Sequence, residues 1–258
     1  VKLALRDVRI AFEGRTVVAL DALDLAENEI VGLVGESGSG KSITALAVMG
    51  LARSLGATVT GSIALDGREL LGLSERQLRQ VRGRRVAMIF QSPVSAFNPL
   101  VRVGDLFVRT LRVHGVDSTD AGRRAEDALR EVLLGPELLR RYPHQLSGGQ
   151  AQRIAIALAV ALRSDVLIAD EPTSALDVTV QAEIIELLRM LRERERLSIL
   201  FISHDLAVVA QLCDRVAVMR NGSIVESGTT AGLLRHPSHP YTRALLAAVP
   251  RLGGGRTA

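Results

Sequence analysis

Ile30-Val31-Gly32-Leu33-Val34-Gly35-Glu36-Ser37-Gly38-Ser39-Gly40-Lys41-Ser42 is the stretch on which the reading of this 258-residue chain turns. Its first five residues read as a buried strand, and the segment after it, Ser42–Leu51, reads as a helix. The glycines between them let several backbone N–H groups converge on one point, because only glycine takes such turns without a Cβ clash. The following helix adds its dipole and its unpaired amides. A strand, a glycine loop and a helix in this order make a phosphate cradle. Gly35, Glu36, Ser37, Gly38, Ser39 and Gly40 form its wall, Lys41 is placed to reach the β and γ phosphates, and Ser42 to hold Mg²⁺.

Composition sharpens the role of Lys41. The only lysines in the chain are Lys2 and Lys41; every other basic residue is arginine. Arginine's planar fork is too wide for a position where a compact ammonium must sit between phosphate oxygens.

A phosphate site of this kind needs a carboxylate to steer the metal and a group to activate water. Val166-Leu167-Ile168-Ala169-Asp170-Glu171 supplies both, as an apolar strand ending in two acids. Asp170 is the candidate Mg²⁺ carboxylate, and Glu171 the candidate general base.

Outward from these segments the chain organises itself. Residues 2–34 read as antiparallel strands leading into the buried one, and Ser62–Leu65 and Val86–Phe90 as strands around a polar helix, Ser74–Arg82. Between Pro99 and Pro143 the spacing is helical, with Leu106, Thr110, Leu111, Leu129, Val132 and Leu133 as face-forming positions. Alternation then resumes: helix Gly149–Leu162, strand Val166–Ala169, helix Val178–Arg194, strand Ser198–Ile202, helix Leu206–Leu212, strand Val216–Arg220. The expected fold is α/β, a mostly parallel central sheet with an N-terminal antiparallel β subdomain and an inserted helical subdomain. One domain is expected, with its nucleotide-binding core in 1–90 and 145–235, a helical subdomain in 91–144, and a C-terminal tail in 236–258 whose glycines, 253–255, read as frayed.

Other classes are disfavoured. The alternating N-terminus does not read as a signal peptide, and the longest apolar run, Ile154–Leu162, is about half the ~20 residues of a membrane span. Any membrane association is therefore expected through a partner. The net charge of +4 is spread over scattered arginines, which reads as a solvated surface and not as a nucleic-acid footprint. Cys213 is alone, so it reads as a small buried filler in a reducing compartment.

Leu146-Ser147-Gly148-Gly149-Gln150 gives the chain a family resemblance: it resembles the signature motif of ATP-binding cassette (ABC) ATPases. The resemblance implies the ABC type of P-loop NTPase fold and a second phosphate-binding helix terminus, Ser147, Gly148, Gly149 and Gln150, that completes the ATP site of another subunit. It also implies that Gln91 touches Mg²⁺ and water, that Asp177 in Ser174-Ala175-Leu176-Asp177 crosses the dimer interface, and that His204 is the switch histidine near the γ-phosphate. Phe12 is the candidate for stacking on adenine, with strand packing as its rival.

Asn98-Pro99-Leu100, Tyr142-Pro143-His144-Gln145, Thr173–Gln181 and His236-Pro237-Ser238-His239-Pro240-Tyr241-Thr242 resemble subunits of peptide and nickel importers. Two departures stand out. Ala151 follows the signature where many relatives carry a long side chain, and the sequence ends soon after Val249-Pro250, without a cysteine-rich tail. The second leans toward the nickel-type members. What the resemblance implies is an ATP- and Mg²⁺-dependent ATPase subunit of an importer for dipeptides, oligopeptides or nickel complexes, peripheral to the cytoplasmic face of the membrane. Its partners would be a second ATPase subunit, by default a different one, two transmembrane permease subunits and, indirectly, an extracytoplasmic binding protein. An exporter subunit is the alternative, and a soluble ABC ATPase on nucleic acid or ribosomes a more distant one.

Overall fold

In the computed structural model, which describes residues 1–248, the chain opens on an antiparallel hairpin, gives one strand to the main sheet, and then returns to the antiparallel sheet before rejoining the main one. Strands β1 (Leu3–Phe12) and β2 (Arg15–Leu25) form a hairpin, and β3 (Ile30–Val34) runs on into the glycine loop. Helix α1 (Lys41–Val48) follows, then β4 (Ala57–Leu65) and the short β5 (Arg68–Glu69). A four-stranded antiparallel sheet results, in the order β2-β1-β4-β5. Its inward face follows period-2 alternation on either side of an irregularity at Asp7 (φ +48°), which shifts the phase by one: Leu3 and Leu5 before it and Val8 and Ile10 after it are all buried.

Helix α2 (Glu75–Val81) starts on a capping box, Ser74 with Gln77, and β6 (Val86–Ile89) leads to the single turn α3 (Pro93–Ala96). The helical insertion comes next, α4 (Val103–Val113) and α5 (Ser118–Glu131), the latter capped by Asp117. Phe107, Leu111, Leu129 and Val132 fill the space between these helices and α6 (Gly148–Leu162). Leu133 departs from expectation: it lies past the end of α5 with φ +59° and is 69% exposed, so its side chain leaves the face that the helical spacing assigned to it.

The remainder alternates. Strand β7 (Val166–Asp170), helix α7 (Val178–Glu195), β8 (Ser198–Ser203), α8 (Leu206–Leu212) and β9 (Arg215–Arg220) are followed by β10 (Ser223–Thr229), α9 (Thr230–Arg235) and α10 (Pro240–Ala248). The main sheet runs β10-β9-β3-β8-β7-β6, parallel except for β10 at its edge. Its central strands are buried on both faces, which is why β3, β7 and β8 read as unbroken apolar runs. Strand β10 and helices α9 and α10 lie where the sequence reading placed no element. The expectation of a frayed 253–255 lies outside the described residues.

Cys213 is buried, and its carboxylate neighbour Asp214 and the apolar surroundings push its thiol pKa up, burial being the larger effect. That keeps it a protonated filler. No helix among the described residues is long and apolar enough to cross a membrane.

Candidate functional site

The strands β3, β7 and β8 end side by side, and the residues just past their C-terminal ends converge on one cavity of about 710 Å³. Glu36, Ser37, Gly38, Gly40, Lys41 and Ser42 of the glycine loop line it. At Gly35 the backbone passes so close to β9 that an added Cβ would sit 2.1 Å from the Met219 carbonyl oxygen, which only glycine avoids. Gly40 enters α1 with φ +109° and no side-chain cap, so the first amides of α1 stay without an internal acceptor.

Lys41 is 6% exposed and points back into the loop, donating to the carbonyls of Gly35 (2.7 Å) and Glu36 (2.9 Å). Burial pulls its pKa down, while the nearby charges of Glu171 and Asp170 pull it up, with burial the stronger. Ser42 donates to Asp170 across 3.1 Å. Burial likewise pushes the Asp170 carboxyl above its usual range, opposed by the Ser42 hydrogen bond. The two opposite charges are thus drawn out of water together, a cost that an anion and a cation arriving between them would relieve.

Glu171 follows with φ +51°, an unusual conformation for a side-chain-bearing residue, fixed by its N–H donating to Ile202 (2.9 Å). That turn directs its carboxylate into the cavity, where the imidazole of His204 donates Nδ1–H to it across 2.7 Å. Gln91 reaches the same cavity from beyond the end of β6, its side chain 3.5 Å from the Ser174 hydroxyl. Phe12, at the tip of the β1–β2 hairpin, lines the cavity together with Val17. Leu245 of α10 also lines the cavity, and with Val17 and Ile43 it was not anticipated from sequence.

The residues present suit a nucleoside triphosphate with its magnesium. Lys41, Ser42, Gln91 and Glu171 all line the cavity, and the Ser42 hydroxyl pairs with the Asp170 carboxylate beside it, a donor set of one ammonium and several oxygens that suits phosphates and a hard cation. No group of three or more His, Cys, Asp or Glu side chains among the described residues forms a metal cage. Magnesium asks for no such cage, since it binds through one or two protein oxygens, phosphates and water.

Ser147, Gly148, Gly149, Gln150 and Asp177 do not line this cavity. Ser147 caps α6, which begins at Gly148, one residue earlier than the sequence suggested; its hydroxyl accepts from Gln150 N–H, and the Gln150 side chain accepts from Ser147 N–H. Asp177 caps α7 by accepting from Val180 N–H. The two helix starts pack together, since a Cβ on Gly149 would fall 2.6 Å from Val180.

Residues 21–174 match the family model described as "ABC transporter", and residues 225–258 the one described as "Oligopeptide/dipeptide transporter, C-terminal region". The chain is 46% identical, over 98% of its length, to the glutathione import ATP-binding protein of Salmonella typhimurium, but spans only 43% of that protein. It is 45% identical to a probable peptide ABC transporter ATP-binding protein of Sinorhizobium fredii (98% of this chain, 78% of that one). With a probable D,D-dipeptide transport ATP-binding protein of Escherichia coli it shares 48% identity over 90% of this chain and 72% of the other. A solved dimeric bacterial ABC transporter cassette superposes with a TM-score of 0.76 at 26% identity, covering 88% of this chain and 98% of that one. The same cassette, in a post-hydrolysis state bound to ADP and Pi, gives 0.74 at 25% identity, with the same coverage.

Proposed function

The chain belongs to the ABC transporter family, and on that premise we propose that it is the ATP-hydrolysing subunit of a peptide importer, acting as one half of a head-to-tail ATPase pair. The observation that carries this reading is the separation of two anion sites. Lys41, Ser42, Asp170, Gln91, Glu171 and His204 gather around one cavity, while Ser147–Gln150 presents a helix terminus elsewhere on the surface. Each site is half of what phosphate transfer needs, and a second subunit facing the other way supplies the missing half.

In this reading ATP lies with its base toward Phe12 and its phosphates in Gly35–Ser42. Lys41 exchanges its two carbonyls for the β and γ phosphates. Ser42, Asp170 and Gln91 would hold Mg²⁺, which when bound neutralises phosphate charge. Glu171 accepts a proton from water as the water oxygen bonds to the γ-phosphorus and the bond to the ADP oxygen breaks. His204, hydrogen-bonded to Glu171, holds that carboxylate in place. The signature residues of the partner, and its Asp177 loop, close over the same phosphates.

Coupling to transport follows from the segment after β6. Gln91 lines the nucleotide cavity, whereas Phe90, Phe97, Leu106, Val113 and Leu158 line an apolar groove of about 410 Å³ on the side of the helical insertion. One of two permease subunits would seat a cytoplasmic segment in that groove, and the other in the partner ATPase subunit, so that movement at the γ-phosphate reaches the membrane. An extracytoplasmic binding protein would deliver the substrate. We take peptides over nickel complexes because the relatives named above are described as ATP-binding proteins of peptide, D,D-dipeptide and glutathione transport and because the C-terminal region matches the oligopeptide/dipeptide transporter model.

The test is the complete transporter, purified with its permeases and reconstituted in vesicles. Peptides are expected to enter the vesicles only with ATP, and ATP turnover to rise when binding protein and peptide are added. Turnover that ignores peptide, with no uptake, would overturn the assignment.

A further inference from the structure

The C-terminal helix α10 reaches back to the phosphate loop through one side chain. Tyr241, 6% exposed, accepts a hydrogen bond on its hydroxyl from the backbone N–H of Glu36 across 3.0 Å. That N–H belongs to the same peptide group as the Gly35 carbonyl, which holds the Lys41 ammonium at 2.7 Å. A peptide group is planar, so fixing the direction of its N–H fixes the direction of its C=O. Gly35 on one side of this peptide carries no Cβ to resist its rotation, and restraint has to come from outside the loop.

Tyr241 is itself held. The Arg220 guanidinium lies over its ring, 4.7 Å from the centroid. The turn that starts α10 is pinned by Glu226 of β10, whose carboxylate accepts from the Ser238 N–H (2.7 Å) and the His239 N–H (3.0 Å). A second prop comes from the β9–β10 turn, where Gly222 N–H donates to the Ser39 carbonyl across 2.9 Å. The phosphate loop is thus braced at Glu36 and at Ser39 by the C-terminal segment of the chain.

We propose that Tyr241 is a positioning residue of the nucleotide site: it orients the Gly35–Glu36 peptide and so sets the place of the Lys41 ammonium. It touches no reacting atom and acts through Lys41. The inference rests on the ATP-site reading given above, and deepens it by tying the C-terminal helix to phosphate binding.

Tyr241→Phe removes the acceptor oxygen and keeps the ring under Arg220, so the fold is retained. The measurement is ATP binding to the whole chain, read with a fluorescent ATP analogue and magnesium, together with KM and kcat of the assembled transporter and thermal melting. Loss of one neutral hydrogen bond predicts a rise of about two- to tenfold in Kd and KM, with the loss falling on KM and not on kcat. Unchanged Kd and KM would overturn the proposal. So would a fall in kcat and melting temperature at constant KM, which is what a purely structural tyrosine gives. Lys41→Ala, measured alongside, separates the two readings: if wild type and Lys41→Ala bind ATP equally, the nucleotide site itself is wrong and the proposal falls with it. If only Lys41→Ala loses binding and Tyr241→Phe does not, the proposal alone fails.

Discussion

Helices α1 and α6 both begin where glycines leave backbone amides exposed, yet their termini are built differently. Helix α1 starts at Lys41 after a left-handed Gly40, with no side-chain cap, a buried ammonium behind it and two carboxylates within reach. Helix α6 starts behind Ser147 in a closed capping box, with no acidic residue in its first turn and with the nearest side chains coming from the start of α7. The first terminus has no side-chain cap and two carboxylates near a buried ammonium; the second has its Ser147 and Gln150 N–H groups paired by the capping box, which leaves the Gly148 and Gly149 amides to a ligand. Chemistry is expected from the first, and recognition of a partner's phosphates from the second.

Removing the base should break this contrast most severely. Glu171→Gln keeps an acceptor for His204 but cannot take a proton, so phosphate release is expected to fall by about 10²–10⁴-fold. ATP-dependent pairing, checked by light scattering, is expected to persist. Normal turnover would mean that Glu171 is not the base. Lys41→Arg comes next. The buried ammonium has space for a compact cation with two carbonyls at 2.7 and 2.9 Å, and a wider fork displaces the loop. ATP affinity, measured by titration calorimetry, is expected to drop by about 10- to 100-fold, the worth of a hydrogen-bonded charge. Unchanged affinity would contradict the steric argument.

How much of this contrast was legible depends on how local each feature is. The phosphate loop and the strand-end pair Asp170-Glu171 are contiguous, and their chemistry is written in residue type and spacing. The parallel strands were visible because burial on both faces makes them uninterrupted apolar runs. Strand β10 was not, because Ser223–Thr229 is a half-exposed edge strand with little alternation to read. Helix α10 was not read as an element although the resemblance singled out His236–Thr242, because its key contact joins Glu36 to Tyr241 across 205 positions and the motif gives no hint of that partner. Leu133 was misread because helical spacing continued past the residue where the chain turns left-handed. The left-handed turn that aims Glu171 is likewise a tertiary fact, set by its bond to Ile202.

Ser147→Ala sharpens the comparison at smaller amplitude. Loss of the cap is expected to cost about 1 kcal/mol of stability, seen in denaturant unfolding. On the reading that α6 serves the partner's phosphates, it should also slow hydrolysis in the assembled pair. A variant that hydrolyses at the wild-type rate while losing the cap energy would reduce Ser147 to a helix cap.

The smallest effect is one of pH, and it belongs to the α1 side alone, because only that terminus leans on the C-terminal segment. Burial acts to raise the Glu226 pKa, but the Thr242 hydroxyl and the hydrogen bonds accepted from Ser238 and His239 prevail, and hold it at about 2 against an ordinary 4.5. A carboxylate depressed in the folded state contributes stability that is complete above its unfolded pKa and fades as pH falls through the window from about 4.5 to about 2. Comparison of wild type with Glu226→Gln by thermal melting is therefore expected to show a gap near neutral pH that narrows on acidification through that window. Glu226 is only partly shielded from solvent, so the gap should be small. A gap that stays constant with pH would mean that the charge on Glu226 is not what pins the start of α10, and that the brace on the phosphate loop depends on the packing of Tyr241 and Arg220 instead.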